Sequence, residues 1–382
     1  KPPLREGFTT GTAAAAAASG AVTLLLAGCL PAEATVALPP FTQTANRIEP
    51  SDDLCLAIPL ACGAPLDEKT AWAEVVKDGG DDPDATHGIR IRVFASFLPF
   101  NAEQLPANFQ PPIRPLGEGF CESESSVWPG RWTSAPLSLP CSFGALFLYA
   151  GRGIGIATLP GLPIAPGEPA VNPEPRKQIA YTVGRAAKAA GYSGPLHILL
   201  SAEEGEKRAL RTLNRRLGIV GGISILGTRG TVRPYSHEAW KETILQGLNV
   251  SQALGLDELL LCTGRRSERL GFGLYPCLPP QAGIQAADFA AFTLKGAVAR
   301  NFKRLRWVCF PGKLLKLAQG LEWTHAKEGA ADLGMLSRFC RDAGGKADLL
   351  RALENMPTAA GAFALMRSSG HSLHRTVLQK LG

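Results

Sequence analysis

Residues 7–32 read GFTTGTAAAAAASGAVTLLLAGCLPA, and the interpretation of this stretch decides the fold class. The stretch carries no charge, is long enough to cross a bilayer, and contains Leu-Ala-Gly-Cys at 26–29, which resembles a bacterial lipoprotein cleavage site. An export signal is therefore one alternative. The stretch is only mildly apolar, however, because it contains four glycines and five hydroxyl side chains: Thr9, Thr10, Thr12, Ser19 and Thr23. We predict a helix packed inside a folded protein, capped by Thr10 or Thr12 and ending near Gly28.

The composition of the 382-residue chain is that of a globular protein with two or three domains. Hydrophobic residues make up 45% and charged residues 19%, which excludes an intrinsically disordered or collagen-like chain. The net charge of +7 favours anionic partners: nucleic acid, an acidic membrane, or a small molecule with several carboxylates or phosphates. The nine cysteines include no Cys-X-X-Cys pair, which argues against a disulfide framework or zinc ribbon and for a reducing, cytoplasmic compartment.

The hydrophobic periodicity predicts a mixed α/β and α+β fold with two domains. Residues 1–172 are expected to form an α+β domain, in which the proline-rich segment at about 98–149 is an irregular insertion. Residues 173–382 alternate between helical stretches and short apolar runs, which predicts a Rossmann-like α/β domain with a mostly parallel sheet and helices on both faces. The strands expected there are residues 196–200, 223–226, 258–262 and 306–310.

Loops at the carboxyl ends of the predicted strands are the first candidates for a binding site, because ligands of parallel sheets bind there. These loops are residues 201–205, 227–236, 263–269 and 311–313. Glycines let a backbone approach a cofactor closely, and a glycine-rich loop can bind an anion. We therefore assign cofactor contacts to Gly221, Gly222, Gly227, Thr228, Gly230, Thr263 and Gly264. Tight turns between strands are the alternative explanation of these glycines.

The segment 77–88 reads KDGGDDPDATHG and concentrates four aspartates and one histidine between positions 78 and 87. We assign a catalytic role to Asp81, Asp82 and His87, as a general base or as groups that orient one. The spacing does not fit an EF-hand loop, and we assign no metal site. The alternative is a polar turn in which the aspartates bind their own backbone.

Two arginines, Arg265 and Arg266, stand at a predicted helix start, where positive charge is unfavourable unless an anion is bound. We assign them to bind substrate carboxylates, with surface charge paired with Glu268 as the alternative. Two other functional classes stay open at this point. A nucleic-acid-binding protein would use the basic run at 300–306. A nicotinamide-dependent oxidoreductase would need a glycine-rich fingerprint followed by an acidic residue about 20 positions later, which the chain lacks.

Several long blocks together resemble the cobalt-precorrin-5B (C1)-methyltransferase family, the CbiD proteins of anaerobic cobalamin biosynthesis. They are LREGFTTGT at 4–12 before the alanine run, VVKDGGDDPDATHG at 75–88, GLPIAPGEPAVNP at 161–173, and the segments 214–236, 263–268 and 312–327. Two features depart from the family pattern. Ala13 stands where the family usually carries a cysteine or serine, so a thiol there is not needed for the chemistry of this chain. The segment 98–149 is longer than the usual connection.

The resemblance implies transfer of a methyl group from S-adenosylmethionine to carbon 1 of cobalt-precorrin-5B, giving cobalt-precorrin-6A. The substrate would be an anionic macrocycle with acetate and propionate arms, and cobalt would enter only as part of it. Arg5, Thr9 and Thr10 of the opening block are assigned to substrate binding together with Arg265 and Arg266. Neither a nucleic acid nor a membrane is expected as partner, and a homodimer is one option for the assembly.

Overall fold

The computed structural model describes residues 3–44, 48–100 and 136–381, so most of the predicted insertion lies outside the described residues. The chain divides into two compact units, residues 1–236 and residues 237–382. The predicted boundary after residue 172 differs from this division. The reason is that the helix Pro173–Ala189, which follows the proline ladder, packs against the first helix of the chain and so lies within the first unit.

The described part of the first unit contains three helices and sixteen mostly short strands. The helices are α1 (Thr10–Ala27), α2 (Pro173–Ala189) and α3 (Gly205–Ala209). The first eight strands are β1 (Gly7–Phe8), β2 (Glu33–Ala37), β3 (Phe41–Gln43), β4 (Ile48–Pro50), β5 (Cys55–Pro59), β6 (Cys62–Asp67), β7 (Thr70–Val76) and β8 (Arg90–Ser96). The other eight are β9 (Leu137–Leu139), β10 (Ala145–Ala150), β11 (Gly153–Ile154), β12 (Ile156–Ala157), β13 (Pro195–Ala202), β14 (Ile219–Val220), β15 (Gly222–Ile223) and β16 (Thr231–Val232).

A six-stranded mixed sheet forms the centre of the first unit, with strand order β6-β7-β8-β13-β10-β9. Only β10 and β13 are parallel neighbours, and the other four pairings are antiparallel. The strand predicted at 196–200 is therefore present as β13, but it lies in this mixed sheet. The strand predicted at 223–226 contributes only the short β15, which pairs with β11. Neither belongs to a C-terminal parallel sheet.

Helix α1 is the core helix of the first unit. Its N-cap is Thr9, whose hydroxyl accepts the N–H of Thr12 at 3.2 Å. The observed cap lies one residue before Thr10, the earlier of the two predicted caps. The helix ends at Gly28, which has a left-handed φ of 72°, as predicted. The alanines at 13–18 are all 0% exposed, because their small side chains let α2, β7 and β8 approach closely. Among the described residues α1 alone is long and apolar enough to cross a membrane, yet 72% of it is buried inside the unit.

The second unit combines a small sheet with a helical bundle. Its strands are β17 (Glu258–Cys262), β18 (Gly283–Gln285) and β19 (Arg304–Val308). Its helices are α4 (His237–Ala253), α5 (Arg265–Leu274), α6 (Ala290–Val298), α7 (Pro311–Ala318), α8 (Leu333–Asp342), α9 (Ala347–Glu354), α10 (Ala359–Ser369) and α11 (His371–Leu381). Single turns of 3₁₀ helix occur at Pro280–Ala282 and Ala326–Glu328. Helices α7 to α11 bury their own apolar core around Leu315, Leu336 and Phe363.

The small sheet is fully parallel, with order β18-β17-β19. Successive side chains of β17 point to opposite faces. Leu259 and Leu261 pack with Ile244 of α4 and Ala297 of α6, whereas Leu260 lies against α5 on the other face. The mixed α/β fold class is thus confirmed, but the parallel sheet contains only three of the described strands.

Candidate functional site

The threonines at the start of α1 fasten a loop of their own unit. The Thr10 hydroxyl lies 3.2 Å from the carbonyl oxygens of Ser224 and Leu226 and accepts the Leu226 N–H at 2.9 Å. The Thr9 N–H donates to the Gly230 carbonyl at 3.0 Å. Thr9 and Thr10, both predicted to contact substrate, are buried and form hydrogen bonds with the protein backbone. Their assignment to substrate binding stays a prediction, and their observed contacts are with the loop at 224–230.

Thr10→Ala is expected to lower the free energy of unfolding by about 2 kcal/mol, because it leaves buried backbone groups of the 224–226 segment without their hydroxyl partner. Thr10→Ser keeps the hydroxyl and is expected to cost less than about 1 kcal/mol, the value of one buried methyl group. Urea unfolding of both variants measures the difference. Equal losses for serine and alanine would show that the hydroxyl contacts carry no stability.

The predicted cofactor glycines of the first unit adopt left-handed backbone angles or have close protein neighbours. Gly221 and Gly230 have left-handed φ angles of 87° and 75°. A Cβ at Gly222 would lie 2.1 Å from the carbonyl oxygen of Gly153, and one at Gly227 would lie 2.3 Å from the Thr9 hydroxyl. The left-handed φ at Gly221 and close neighbours at Gly222, Gly227 and Gly230 explain why glycine is needed at these four positions. The cofactor role of these residues and of exposed Thr228 stays a prediction.

The N-terminal segment and the acidic loop are joined through Arg5. The guanidinium of Arg5 donates to both carboxylate oxygens of Asp78, with Nη2 at 3.0 Å from Oδ1. The Arg5 backbone also bonds Asp81, because its N–H donates to Asp81 Oδ2 at 2.8 Å and its carbonyl oxygen accepts the Asp81 N–H at 3.0 Å. Arg5, which we assigned to substrate binding, therefore organises the loop that carries the predicted catalytic aspartates.

A second connection reaches the acidic loop from the segment after β16. Strand β16 pairs antiparallel with β1, which brings Arg233 to Glu6 at 3.0 Å. Beyond it, the Tyr235 N–H donates to Asp82 Oδ1 at 2.9 Å. Tyr235 is 69% exposed and has a left-handed φ of 58°, which is unusual for a residue other than glycine. Tyr235 was not among the predicted site residues; the Pro-Tyr pair at 234–235, within the family-like block 214–236, was the available signal.

The base of the acidic loop is a buried ion pair. Lys77 is 1% exposed, and its ammonium lies 2.5 Å from Asp84 Oδ2, while Asp84 Oδ1 accepts the N–H and hydroxyl of Thr86 at 2.7 and 2.8 Å. Burial alone would raise the pKa of Asp84, but Lys77 and these hydrogen bonds outweigh it and hold that pKa below its usual value. The hydrogen bond from Arg5 likewise lowers the pKa of Asp78. Asp78 and Asp84 are therefore structural carboxylates and weak bases.

The depressed pKa of Asp84 gives stability a defined dependence on pH. Below about pH 5 the unfolded chain, whose aspartates titrate near pKa of about 3.9, binds more protons at this position than the folded protein does. The free energy of unfolding is therefore expected to fall as pH falls from 5 towards 3. Asp84→Asn lacks this contribution, so the gap between wild type and variant in urea midpoint should narrow with acidification. A gap that stays constant or widens would contradict the ion-pair assignment.

His87 is tied to the loop by its ring. The Gly79 N–H donates to His87 Nδ1 at 3.0 Å, so the neutral imidazole carries its proton on Nε2. In this arrangement neither nitrogen is available to accept a substrate proton. Arg208 of α3 also binds this loop, because it donates to the carbonyl oxygens of Ala85 and His87 at 3.2 and 3.3 Å. The geometry therefore favours Asp81 and Asp82 over His87 among the three predicted catalytic residues.

The remaining predicted residues lie at the carboxyl edge of the parallel sheet in the second unit. Thr263 and Gly264 precede α5, and the Gly264 N–H donates to Ser267 Oγ at 3.1 Å. Arg265 and Arg266 are exposed, and the Arg266 guanidinium lies over the ring of Phe310 at 5.1 Å. Since Phe310 follows β19, this contact joins the loops after two neighbouring parallel strands. The predicted substrate and cofactor residues are thus divided between the two units.

No group of three or more histidine, cysteine, aspartate or glutamate side chains is arranged to hold a metal ion within residues 3–44, 48–100 and 136–381. The cysteines in these ranges are free thiols. Cys309 is partly buried, and burial raises the pKa of its thiol to about 11. A thiol with that pKa stays protonated at neutral pH and is a poor nucleophile.

Two family models match the chain. The model described as CbiD matches residues 1–105 and 136–234, and the model described as CbiD, C-terminal domain, matches residues 323–382. The chain belongs to the CbiD family. The first match contains the N-terminal threonines, the acidic loop and the 224–230 loop, so the contacts among these three segments lie within the region that this model matches.

The chain is also similar over nearly its whole length to curated CbiD relatives. A cobalt-precorrin-5B C(1)-methyltransferase of Nitratidesulfovibrio vulgaris (strain Hildenborough) is 43% identical over 368 residues, covering 95% of this chain and 81% of the relative. Enzymes of the same name from Geobacillus sp. (strain WCH70) and Agrobacterium fabrum are each 36% identical and cover 97% and 99% of this chain, and 86% and 85% of their own lengths. A crystal structure of a cobalamin biosynthesis protein (CbiD) from Archaeoglobus fulgidus is 22% identical, covers 85% of this chain and 83% of its own, and has a TM-score of 0.38.

Proposed function

We propose that this chain is the S-adenosylmethionine-dependent enzyme that methylates carbon 1 of cobalt-precorrin-5B. The observation that carries the proposal is the 43% identity to a cobalt-precorrin-5B C(1)-methyltransferase over 95% of the chain. The charge of the chain agrees with it, because a net charge of +7 suits a macrocycle with many carboxylate arms. Cobalt belongs to the substrate in this proposal.

The chemistry requires alignment of two bound molecules and removal of one proton. S-adenosylmethionine supplies an activated methyl group; the methyl–sulfur bond breaks, a carbon–carbon bond forms at carbon 1, and the macrocycle loses a proton. Holding the reacting groups in line and excluding water supply much of the rate in such a transfer. We assign proton removal to Asp81 and Asp82, each of which uses one carboxylate oxygen for a backbone N–H, from Arg5 and Tyr235 respectively.

We assign the carboxylate arms of the macrocycle to Arg265 and Arg266, which are exposed beside a strand end. Changing both to glutamine is expected to raise KM about tenfold or more with little change in kcat, because charge-assisted hydrogen bonds to ground state and transition state are lost alike. Steady-state kinetics at fixed S-adenosylmethionine measure this. Arg338→Gln, at an exposed arginine of α8, is the control. An unaltered KM in the double variant would refute the assignment.

Two finer features of the proposal concern fold and location. We propose that the three-stranded sheet of the second unit is a small Rossmann-like element, supported by its parallel order β18-β17-β19 and by apolar packing on both of its faces. We also propose that the enzyme works in the cytoplasm, supported by the free thiols of the described cysteines.

The direct test of the function is turnover by the purified chain. Incubation with cobalt-precorrin-5B and S-adenosylmethionine should give S-adenosylhomocysteine and, in equal amount, a macrocycle heavier by one methyl group minus one proton. Mass spectrometry of both products measures this. Release of S-adenosylhomocysteine without a methylated macrocycle, or no conversion by a folded protein, would overturn the proposal.

A further inference from the structure

The parallel sheet of the second unit has the strand order of a small doubly wound sheet. The chain passes from β17 through α5 to β18, and then crosses back over β17 through α6 to β19. Helix α5 packs on the face of β17 that carries Leu260, whereas Ala297 of α6 packs with Leu259 and Leu261 on the other face. The chain therefore leaves the carboxyl ends of the neighbouring strands β17 and β18 toward opposite faces. Ligands of open α/β sheets bind in the crevice at such a switch point.

Three aromatic rings form a stack beside the carboxyl end of β18. Phe289, in the loop that joins β18 to α6, and Trp323 have ring centres 6.4 Å apart and planes at 18°. Trp323 and His325 have ring centres 5.1 Å apart and planes at 17°. The Lys241 ammonium lies over the Phe289 ring at 5.6 Å, at the opposite end of the stack from His325. Another ring can therefore join the stack at His325, which is partly exposed.

The segment 322–325, which carries two of these rings, is fastened to the loop after β18. The Thr324 N–H donates to the Asp288 carbonyl oxygen at 3.0 Å, and the Thr324 hydroxyl donates to Asp288 Oδ1 at 3.1 Å. The N–H of Ala291, in the first turn of α6, donates to the Glu322 carbonyl oxygen at 3.0 Å. These bonds hold both ends of the segment against the loop that carries the third ring.

Two lysines of α7, the helix after β19, hold the same segment from the other side of β17. Lys313 pairs with the Asp288 carboxylate and donates to the Thr324 carbonyl oxygen at 2.7 Å. Lys316 is buried and donates to the carbonyl oxygens of Thr324 and His325 at 3.3 and 3.0 Å. The loops after β18 and β19 are thereby joined at the carboxyl edge of the sheet. The stack is preorganised, so little ordering is needed when a ligand binds.

The charged groups beside the stack are used within the protein. Lys313 pairs with Asp288, and Lys295 of α6 pairs with Glu322 at 2.9 Å. Lys316 donates to backbone carbonyl oxygens. A macrocycle with many carboxylates needs cations that can turn to it, such as the exposed Arg265 and Arg266 of the next loop. The stack itself suits an uncharged planar ring.

The stack also contains a hydrogen-bond donor without an acceptor. Among the described residues, the indole nitrogen of Trp323 is buried and has no hydrogen-bond partner. Buried polar groups in proteins are nearly always paired, so an orphaned N–H indicates a partner that is missing from the structure. A ligand that combines a planar ring with acceptor atoms at its edge satisfies both features of the site.

We infer that the aromatic stack of Phe289, Trp323 and His325 binds the adenosyl group of S-adenosylmethionine. Adenine is planar and uncharged and carries acceptor nitrogens, and bases stack readily on aromatic side chains. The inference rests on the proposed function, which requires a methyl donor, and it locates the donor within residues 237–382. Among the predicted cofactor residues, Thr263 and Gly264 belong to this edge, because they follow the central strand β17.

Calorimetric titration with S-adenosylhomocysteine, and with methylthioadenosine, which lacks the amino-acid group, tests the inference. His325→Asn removes the ring but keeps an acceptor for the Lys327 N–H, and should raise Kd of both ligands at least about fivefold, the effect of one lost stacking contact. His325→Phe keeps a ring and should lie closer to wild type. Trp323→Phe removes the indole N–H and should raise Kd about fivefold.

Controls separate loss of the site from loss of structure. His374→Ala changes a histidine of α11 that contacts the Phe363 ring in the helical bundle, and it should leave Kd unchanged. Far-UV circular dichroism and the urea midpoint of each variant establish that it is folded. Each titration is repeated with cobalt-precorrin-5B present, and the Kd of the macrocycle is measured alone. That Kd should be the same in wild type and His325→Asn.

The outcomes separate this inference from the proposed function. Wild-type affinity for S-adenosylhomocysteine in folded His325→Asn and Trp323→Phe would overturn the stack assignment and leave the function intact. Weakened binding of the macrocycle alone, or no S-adenosylhomocysteine binding to the wild type under either condition, would overturn the assignment as well. Weakened binding of both adenosyl ligands, together with no methylation of cobalt-precorrin-5B by the wild type, would support the donor site and overturn the proposed reaction.

Discussion

Replacing Asp81 and Asp82 together by asparagine is expected to lower kcat about 10²- to 10⁴-fold, the range that a positioned general base contributes. Asparagine keeps a side-chain oxygen for the N–H groups of Arg5 and Tyr235, so the loop should retain its shape. It removes the basic carboxylate from both positions. The expected loss therefore lies in kcat, measured by single-turnover formation of the methylated macrocycle.

A matched control separates the loss of a general base from the loss of negative charge. Asp52 and Asp53 are an adjacent pair of exposed aspartates in the same unit, and their double asparagine variant should keep wild-type kcat. If Asp81 and Asp82 acted only by repelling the anionic substrate, their neutralisation would lower KM and leave kcat unaltered. A kcat within about twofold of wild type in the D81N/D82N variant would exclude the general-base role, since that role contributes at least about 10²-fold.

Replacing Asp84 by alanine is expected to have the largest effect on stability, a loss of about 3 kcal/mol in the free energy of unfolding. Lys77 is 1% exposed and would be left as a buried ammonium without its carboxylate, which is the costly way to break a buried pair. The N–H and hydroxyl of Thr86 would lose their acceptor as well. Urea unfolding at pH 7 measures the effect.

Comparison with an exposed ion pair tests whether the burial of Lys77 causes the expected loss of stability. Arg351 and Asp348 form an ion pair at 2.5 Å whose side chains are 76% and 92% exposed. Asp348→Ala should leave the urea midpoint unchanged, because exposed pairs contribute little. The double variant K77M/D84A removes both buried charges and should recover part of the loss. Equal effects of Asp84→Ala and Asp348→Ala would show that burial of Lys77 does not govern the stability of the acidic loop.

The elements that could be predicted from the sequence are those decided by local pattern. The run of alanines at 13–18, interrupted by no charge, predicts a helix surrounded by protein, and α1 is such a helix. The strands β13, β17 and β19 were each expected within a few residues of their observed bounds. In these cases the size and alternation of a few successive side chains indicate the type of element, so its packing partners do not need to be known.

The pairing of these elements could not be predicted in the same way. Strand β13 reads as a buried strand, but nothing in its own residues indicates antiparallel pairing with β8 and parallel pairing with β10. Assuming that strands alternating with helices share one parallel sheet led to the wrong sheet for β13. The pairing of β1 with β16 joins residues more than 200 positions apart and left no local trace in the sequence.

In the candidate site, too, local sequence indicated which residues matter but not which partners they contact. The loop 77–88 was recognised from its composition, and both interpretations of it apply: Asp78 and Asp84 hold the loop together, whereas Asp81 and Asp82 are the carboxylates proposed for chemistry. The glycines at 222 and 227 were recognised as points of close approach, but the approaching atoms belong to Gly153 and Thr9. Glycine in a sequence indicates proximity without identifying the neighbour.

Methyl transfer to carbon 1 of cobalt-precorrin-5B is the reaction that we propose for this CbiD protein. The most direct measurement uses S-adenosylmethionine labelled with carbon-13 in its methyl group, followed by NMR of the purified macrocycle product. We expect one enriched methyl signal, coupled to the quaternary carbon 1 of the ring. An enriched methyl group on any other ring atom, or an unlabelled macrocycle after incubation with folded protein, would contradict it.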